Sequence, residues 1–199
     1  NEIIEDYSNY EFHLVYQKIL NFCTNELGSF YLDILKDRLY TSKNSGIARI
    51  SAQATIKSLF DKLLLWIAPI LSFTAEEAFI EFYKDKKSIF LESFSSSSED
   101  ISLTLDEGSW KVLNEIKIEA NKLLEEKRND GIIGSSLDAQ VKIFCNSETF
   151  LRLSPCIDEL KFLLIVSDAS LEVADDDGQS FISIEVKPSD KEKCDRCWH

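Results

Sequence analysis

The sequence predicts a mainly α protein: an antiparallel helical bundle, then a small α/β or α+β domain, then a truncated zinc knuckle. Three observations predict it. Apolar residues recur at spacings of three and four through residues 10–83. A serine-rich acidic stretch at 95–100 carries nothing to bury. Beyond it, one more helical stripe gives way to short apolar runs of strand length, and the chain closes on Lys193, Cys194, Asp195, Arg196, Cys197, Trp198 and His199.

In residues 10–27, Phe12, Val15, Ile19, Leu20, Cys23 and Leu27 form the first amphipathic stripe, which Gly28 and Ser29 are expected to end. A second, shorter helix at 30–40 has a stripe of Phe30, Leu32, Ile34 or Leu35, and Leu39. Polar turn material at 41–46 leads to a long helix from Ile47. It carries Ile50, Ala54, Leu59, Leu63, Leu64 and Ile67, with Pro69 stopping or kinking it. Thr74 and Glu77 have the spacing of a capping box for a fourth helix running to about Tyr83. Short connections between four helices favour antiparallel neighbours.

The expected boundaries are a bundle at 1–94, a linker at 95–104, a small α/β junction at 105–188 and the start of a zinc domain at 189–199. Thr104 and Glu107 read as a second capping box. The helix they open bears Trp110, Leu113, Ile116, Ala120, Leu123 and Leu124 on one face and closes at Asp130 and Gly131. Strands are expected at 139–145, 162–166, 171–174 and 181–186, with a brief helix begun by Ser154 and Pro155. Asp175, Asp176 and Asp177 before Gly178 read as a solvated hairpin turn rather than a calcium loop, because further spaced ligands are lacking.

Composition excludes several classes. The 199 residues are 44% hydrophobic and 29% charged, enough for one large or two small cores. No run approaches the roughly 18 apolar residues of a membrane span, and the acidic start lacks the apolar segment of a secretory signal. Five cysteines at irregular spacing suggest reduced thiols, hence a cytoplasmic setting, with Cys23, Cys145 and Cys156 as small core residues. A net charge of −13 opposes nucleic acid as a partner, yet its distribution matters more than its sum. Between residues 36 and 62, six basic residues (Lys36, Arg38, Lys43, Arg49, Lys57, Lys62) face two acidic ones (Asp37, Asp61). Such an island is either a phosphate-facing patch or an ordinary solvated helix face.

Cys194 and Cys197 can grip one soft cation, but a structural zinc needs four ligands. His199 is an awkward third, so the missing ligands are expected beyond residue 199. A haem-attachment site would need His where Trp198 stands, and a redox pair normally opens a helix after a buried strand rather than following a polar run.

Four blocks then carry a resemblance. Residues 30–41 (Phe-Tyr-Leu-Asp-Ile-Leu-Lys-Asp-Arg-Leu-Tyr-Thr), 67–77 (Ile-Ala-Pro-Ile-Leu-Ser-Phe-Thr-Ala-Glu-Glu), 133–139 (Ile-Gly-Ser-Ser-Leu-Asp-Ala) and 193–199 resemble, in that order, the C-terminal third of bacterial-type isoleucyl-tRNA synthetases. Valyl and leucyl relatives share the helical part. The resemblance implies an anticodon-binding helical domain, a junction domain and the start of a zinc domain, with Cys194 and Cys197 as zinc ligands of the intact protein. It implies a parent ligase, expected to be monomeric, that joins isoleucine to its tRNA using ATP and magnesium in a catalytic body outside this chain. The His-Ile-Gly-His and Lys-Met-Ser-Lys-Ser elements of that class are absent, since the chain has no methionine and only His13 and His199. The fragment by itself is therefore expected to be inactive in aminoacylation.

On that reading the tRNA-facing candidates are Lys36, Arg38, Lys43 and Arg49 for phosphates, which position without reading sequence. Tyr40, Gln53 and Trp198 are candidates for unstacked bases, and Lys127 with Arg128 form a second patch. Tyr40 equally suits a helix-end core position, and Trp198 equally suits packing inside a zinc domain. The rival class is a helical protein-interaction or scaffold module whose basic island is merely solvated.

Overall fold

The computed structural model describes residues 2–94, 105–174 and 182–191. The chain divides into two compact units, residues 1–100 and 101–199. The first is helical, and the second carries a three-stranded sheet. The linker expected at 95–104 lies outside the described residues.

The helical unit opens with α1 (Glu2–Ser8), which the apolar pattern did not predict. Tyr10 sits at φ 59°, strained for an aromatic residue, and turns the chain into α2 (Phe12–Asn21). Lys18 ties the two helices by ion pairs to Glu2 at 3.2 Å and to the buried Asp6 at 2.7 Å. Gly28 and Ser29 do not end the first helix, contrary to expectation. The backbone widens into a π-helix over Phe22–Tyr31 and continues into α3 (Leu32–Ile34). The wider winding brings a carbonyl five residues back within reach of a side chain, and Ser29 Oγ donates to Thr24 O at 2.7 Å. At Gly28 a Cβ would lie 2.9 Å from Cys23 O, so the glycine serves close approach inside the helix and not its termination.

The chain breaks at Leu35, which is buried, and resumes as α4 (Lys36–Tyr40). The turn at 41–46 leads into α5 (Ile47–Ile67), where the long third helix was expected. Its apolar stripe faces inward only in part. Ala52 and Leu64 are buried, whereas Ile47 is 86% and Ile50 53% exposed. After Pro69, α6 (Ser72–Phe82) starts two residues before Thr74, so the predicted capping box does not form. Ser72 Oγ instead donates back to Ala68 O at 2.9 Å. Leu64, Ala68, Ala75, Phe79 and Ile89 make the core here, with Phe60, Leu65, Ile67, Ala78 and Tyr83 packed on it. Tyr7 anchors α1 to α5 by donating to Trp66 O at 2.6 Å.

In the second unit α7 (Glu107–Asn129) is capped by Asp106, whose carboxylate accepts from Ser109 N at 2.6 Å. Asp106 replaces the predicted Thr104, which lies outside the described residues, because an Asx side chain directly before the first turn reaches the orphan N–H groups. The hydrogen bonds from Ser109 hold its carboxyl below the usual carboxylate range. Leu113, Ile116, Ala120 and Leu124 are buried as expected, while Trp110 is 42% exposed. The helix closes at Asp130 and Gly131, the glycine at φ 70°.

The sheet order is β2-β1-β3. The central strand β1 (Ala139–Cys145) alternates strictly, with Ala139, Val141, Ile143 and Cys145 buried. It pairs parallel with β2 (Asp168–Val173) and antiparallel with β3 (Ile182–Pro188). Between β1 and β2 run α8 (Ser147–Leu153), capped by Asn146, a 3-10 turn at Ser154–Glu159 with Pro155 at its start, and α9 (Leu160–Leu164). The strand expected at 162–166 is thus a correction. Leu160, Leu163, Leu164 and Val166 are all buried, and a short run buried on every side carries no period that separates strand from helix. The hairpin expected around Asp175 is a second correction. β2 and β3 lie on opposite edges of β1 and do not pair with each other, as the two arms of a hairpin would. The acidic residues themselves lie outside the described residues.

Candidate nucleic-acid interface

Most of the basic island gathers at one corner of the helical unit, because the tight turn at 41–46 brings α4 against the start of α5. Gly46 permits this turn, since a Cβ there would meet Lys43 O at 3.0 Å. Lys43 and Tyr40 are exposed, the tyrosine by 77%, which removes the alternative of a core role for it. Arg38 and Arg49 are half-buried, and Gln53 is exposed one turn beyond Arg49 on α5. Arg49, Gln53 and Lys57 succeed one another at four-residue steps, so they are neighbours along the helix surface.

The positive charge is less uniform than the sequence count suggests. Lys36 is bound to the Asp33 carboxylate, and Lys57 to Asp61 at 2.7 Å. Hydrogen bonds to those carboxylates push both ammonium groups up from their ordinary value. No ion pair among the described residues holds Lys43 or Arg49. Lys62, farther along α5, is likewise held by none; at the α4–α5 corner itself the exposed Lys43 and the half-buried Arg49 carry charge that a phosphate can use.

The other candidates fall elsewhere. Lys127 and Arg128 lie at the end of α7, in the second unit, with Arg128 paired to Glu125 at 2.8 Å. Cys194, Cys197 and Trp198 lie outside the described residues. Among the described residues no group of three or more His, Cys, Asp or Glu side chains could hold a metal ion. Cys145 and Cys156 are buried and Cys23 is half-buried, all three free thiols, and burial pushes their pKa up.

Two features of the helical unit escaped the sequence. One is an apolar groove of about 460 Å³ lined by Tyr16, Ile19, Leu20, Leu63, Ile67 and Leu71 among others. The other is a cavity of about 500 Å³ beside Tyr83, where the tyrosine hydroxyl donates to Asp61 Oδ1 and accepts from Lys57 Nζ at 2.7 Å. Each depends on residues brought together from separate helices.

A family model described as the anticodon-binding domain of tRNA ligase matches residues 1–143. The chain belongs to that family. Curated relatives agree along the whole length. The chain is similar to the isoleucine–tRNA ligase of Shewanella sp. (strain ANA-3), 40% identical over 218 residues covering 100% of the chain. It is 42% identical to that of Coxiella burnetii (strain CbuG_Q212) over 99% of the chain, and 41% identical to that of Histophilus somni (strain 2336) over 100%. In each case the match covers 22% of the relative, so the chain spans about a fifth of the length of these ligases. Among the described residues, no helix is long and apolar enough to cross a membrane.

Proposed function

We propose that this chain is the tRNA-positioning part of an isoleucine–tRNA ligase, and that the α4–α5 corner meets the anticodon stem-loop. The observation that carries the reading is the exposure of Lys43, Tyr40 and Gln53 beside Arg38 and Arg49, within the segment that matches the anticodon-binding family. Lys43, Arg49, Arg38 and the more occupied Lys36 hold phosphates, and Tyr40 and Gln53 meet unstacked bases. Lys127, Arg128 and Trp198 are secondary contacts.

The parent enzyme joins isoleucine to its tRNA in the cytoplasm. ATP and magnesium act in a catalytic body outside these residues, and the parent works as a monomer. The domain plan is a bundle at 1–94, a linker at 95–104, a junction at 105–188 and a zinc domain from 189. Cys194 and Cys197 supply half of a tetrahedral zinc set, and the described residues offer no cluster to complete it. Two thiolates without the other half hold zinc weakly, so nothing in the RNA-binding proposal runs through the metal.

The test is a titration with an isoleucine tRNA transcript and an anticodon-swapped variant at low and moderate salt. Cognate RNA is expected to bind more tightly, with affinity falling as salt rises. Replacing Lys43 and Arg49 together by Glu should weaken both RNAs and flatten the salt dependence, by about one unit of slope per lost phosphate contact. Equal affinity for the two anticodons would sink the reading. The apolar groove beside Tyr16 and Leu71 favours a second reading, a protein-interaction module, which predicts no RNA binding at moderate salt.

A further inference from the structure

The cavity beside Tyr83 carries both signs of charge on one rim, above an apolar floor. Phe79 of α6 and Ile89 of the 3-10 turn at Ile89–Leu91, both buried, form the floor, and Leu65 and Leu91 are its apolar walls. The exposed Lys86, Glu92 and Ser93 make the rim, where Lys86 Nζ lies 2.7 Å from Glu92 Oε1. Because ammonium and carboxylate stand so close, a ligand with a single charge is drawn to one and repelled by the other. A ligand with both charges finds a partner for each. At about 500 Å³ the cavity is within the size range of small-molecule sites.

The rim has hydrogen-bonding capacity to spare. Glu92 uses Oε1 for Lys86, and no hydrogen bond among the described residues takes Oε2. Lys86 gives Glu92 one of its three donors, and its ammonium is held at the mouth, 5.5 Å from the Phe79 ring centroid and 5.2 Å from that of Tyr83. Asp61, also in the lining, is already engaged: Oδ1 accepts from Tyr83, and Oδ2 from Lys57 at 2.7 Å. The acceptor and donor on offer are therefore Glu92 Oε2 and Lys86 Nζ. The turn before Glu92 is fastened to α6 before any ligand arrives, because Glu76 accepts from Ile89 N at 2.9 Å and from Ser88 Oγ at 3.0 Å. A prearranged site loses less freedom on binding than one that must form.

We infer that this cavity binds a free α-amino acid with an apolar side chain. The ligand's ammonium donates to Glu92 Oε2, its carboxylate accepts from Lys86 Nζ and the Ser93 hydroxyl, and its side chain lies against Leu65, Ile89 and Leu91. An α-amino acid carries its two charged groups on one carbon, which matches a rim whose own ammonium and carboxylate are in contact. A further charge on the side chain would be set against the apolar floor without a partner, so the class is restricted to uncharged, apolar side chains. The carboxylates of Asp61 and Glu92 disfavour a phosphate here. The site therefore stands apart from the RNA-binding reading and does not depend on it.

The test is a titration of the isotope-labelled full chain, followed by amide chemical shifts. The probes are L-leucine, glycine, isocaproate, which is leucine without its amino group, and isoamylamine, which is leucine without its carboxylate. Leucine should give saturable shifts confined to the segments that line the cavity. Each one-charge analogue should bind about tenfold more weakly, the scale of one charge-assisted hydrogen bond. Glycine, which has no side chain to bury, should also bind about tenfold more weakly. Glu92→Gln should weaken leucine by a similar factor and leave isocaproate no weaker, whereas Lys86→Gln should weaken leucine and leave isoamylamine no weaker. Both positions are exposed, so both variants should melt as the parent chain does. A merely structural defect would weaken every probe alike, and the analogue series on the parent chain decides the matter even where a variant does not fold. The inference falls if leucine gives no saturable shift, if isocaproate or isoamylamine binds as tightly as leucine, or if the shifts gather at the apolar groove beside Tyr16.

Discussion

The two units solve the burial problem in opposite ways. In the sheet-bearing unit, Leu113, Ile116, Ala120 and Leu124 of α7 are buried, as are the inward residues of β1 and Leu160, Leu163 and Leu164 of α9. In the helical unit the buried apolar residues are fewer and smaller, with Ala52, Ala68 and Ala75 among them. Phe12, Tyr16, Leu20, Ile50, Leu71, Phe73 and Phe82 are all about half exposed or more. A domain that buries its large side chains is held up from within. One that leaves them outside has surface to give to something else, which is consistent with a chain that spans 22% of the relatives it matches. The helical unit pairs surplus surface with the unspent cations of the α4–α5 corner, whereas the cations of the sheet face are engaged, Lys142 with Glu172 and Lys191 with Asp168.

The comparison breaks most visibly in the cores. Ile143→Ala, at a fully buried position in the central strand, should destabilise the second unit by about 2–5 kcal/mol. Phe73→Ser, at a side chain 93% exposed, should change stability by less than about 0.5 kcal/mol. Hydrogen exchange followed separately in each unit reads both, and an equal cost at the two sites would overturn the contrast. Next in size is Gly28→Ala. Its added Cβ meets Cys23 O, and the π-helix should lose about 1–3 kcal/mol, seen as faster exchange over residues 22–31. Asn146→Ala removes the cap on α8, where Asn146 Oδ1 accepts from Thr149 N at 2.8 Å, and should cost the second unit about 1 kcal/mol in urea unfolding.

The smallest expected effect is one of pH. The Lys191 ammonium, 2.7 Å from Asp168, holds that carboxyl below the usual carboxylate range. A depressed folded value means the stabilisation is complete above the ordinary carboxylate range and fades as pH falls through the folded one. Asp168→Asn should therefore flatten the acid limb of the second unit's stability curve and leave the first unit unchanged. An unaltered acid limb would show that the pair is fully screened by solvent.

The sequence was legible where one physical signal dominated. The long helices α5 and α7, the strand β1 with its strict alternation, and Gly131 as a stop all follow from periodicity or from a φ that only glycine adopts readily. It misled where a signal had two meanings. Gly28 ends helices as often as it permits close approach, and only the position of Cys23 O distinguishes these. Thr74 and Thr104 had capping spacing, but α6 started earlier and Asp106 stood closer to the first turn of α7. The apolar run at 162–166 fitted a strand or a buried helix alike. For the candidate site, the basic residues were visible one by one, but not that Lys36 and Lys57 are held by carboxylates while Lys43 and Arg49 are not.

The sequence by itself determined the family, the existence and order of the principal helices and strands, and the basic island within an acidic chain. These depend on neighbours along the chain, where period, charge and motif are written directly. Only the tertiary structure decided which cations remain available, that β1 lies between β2 and β3, and that α5, α6 and the turn after them enclose a slot beside Tyr83. Those outcomes depend on which distant side chains meet, and no local pattern encodes a meeting between residues such as Lys57 and Tyr83, set 26 positions apart.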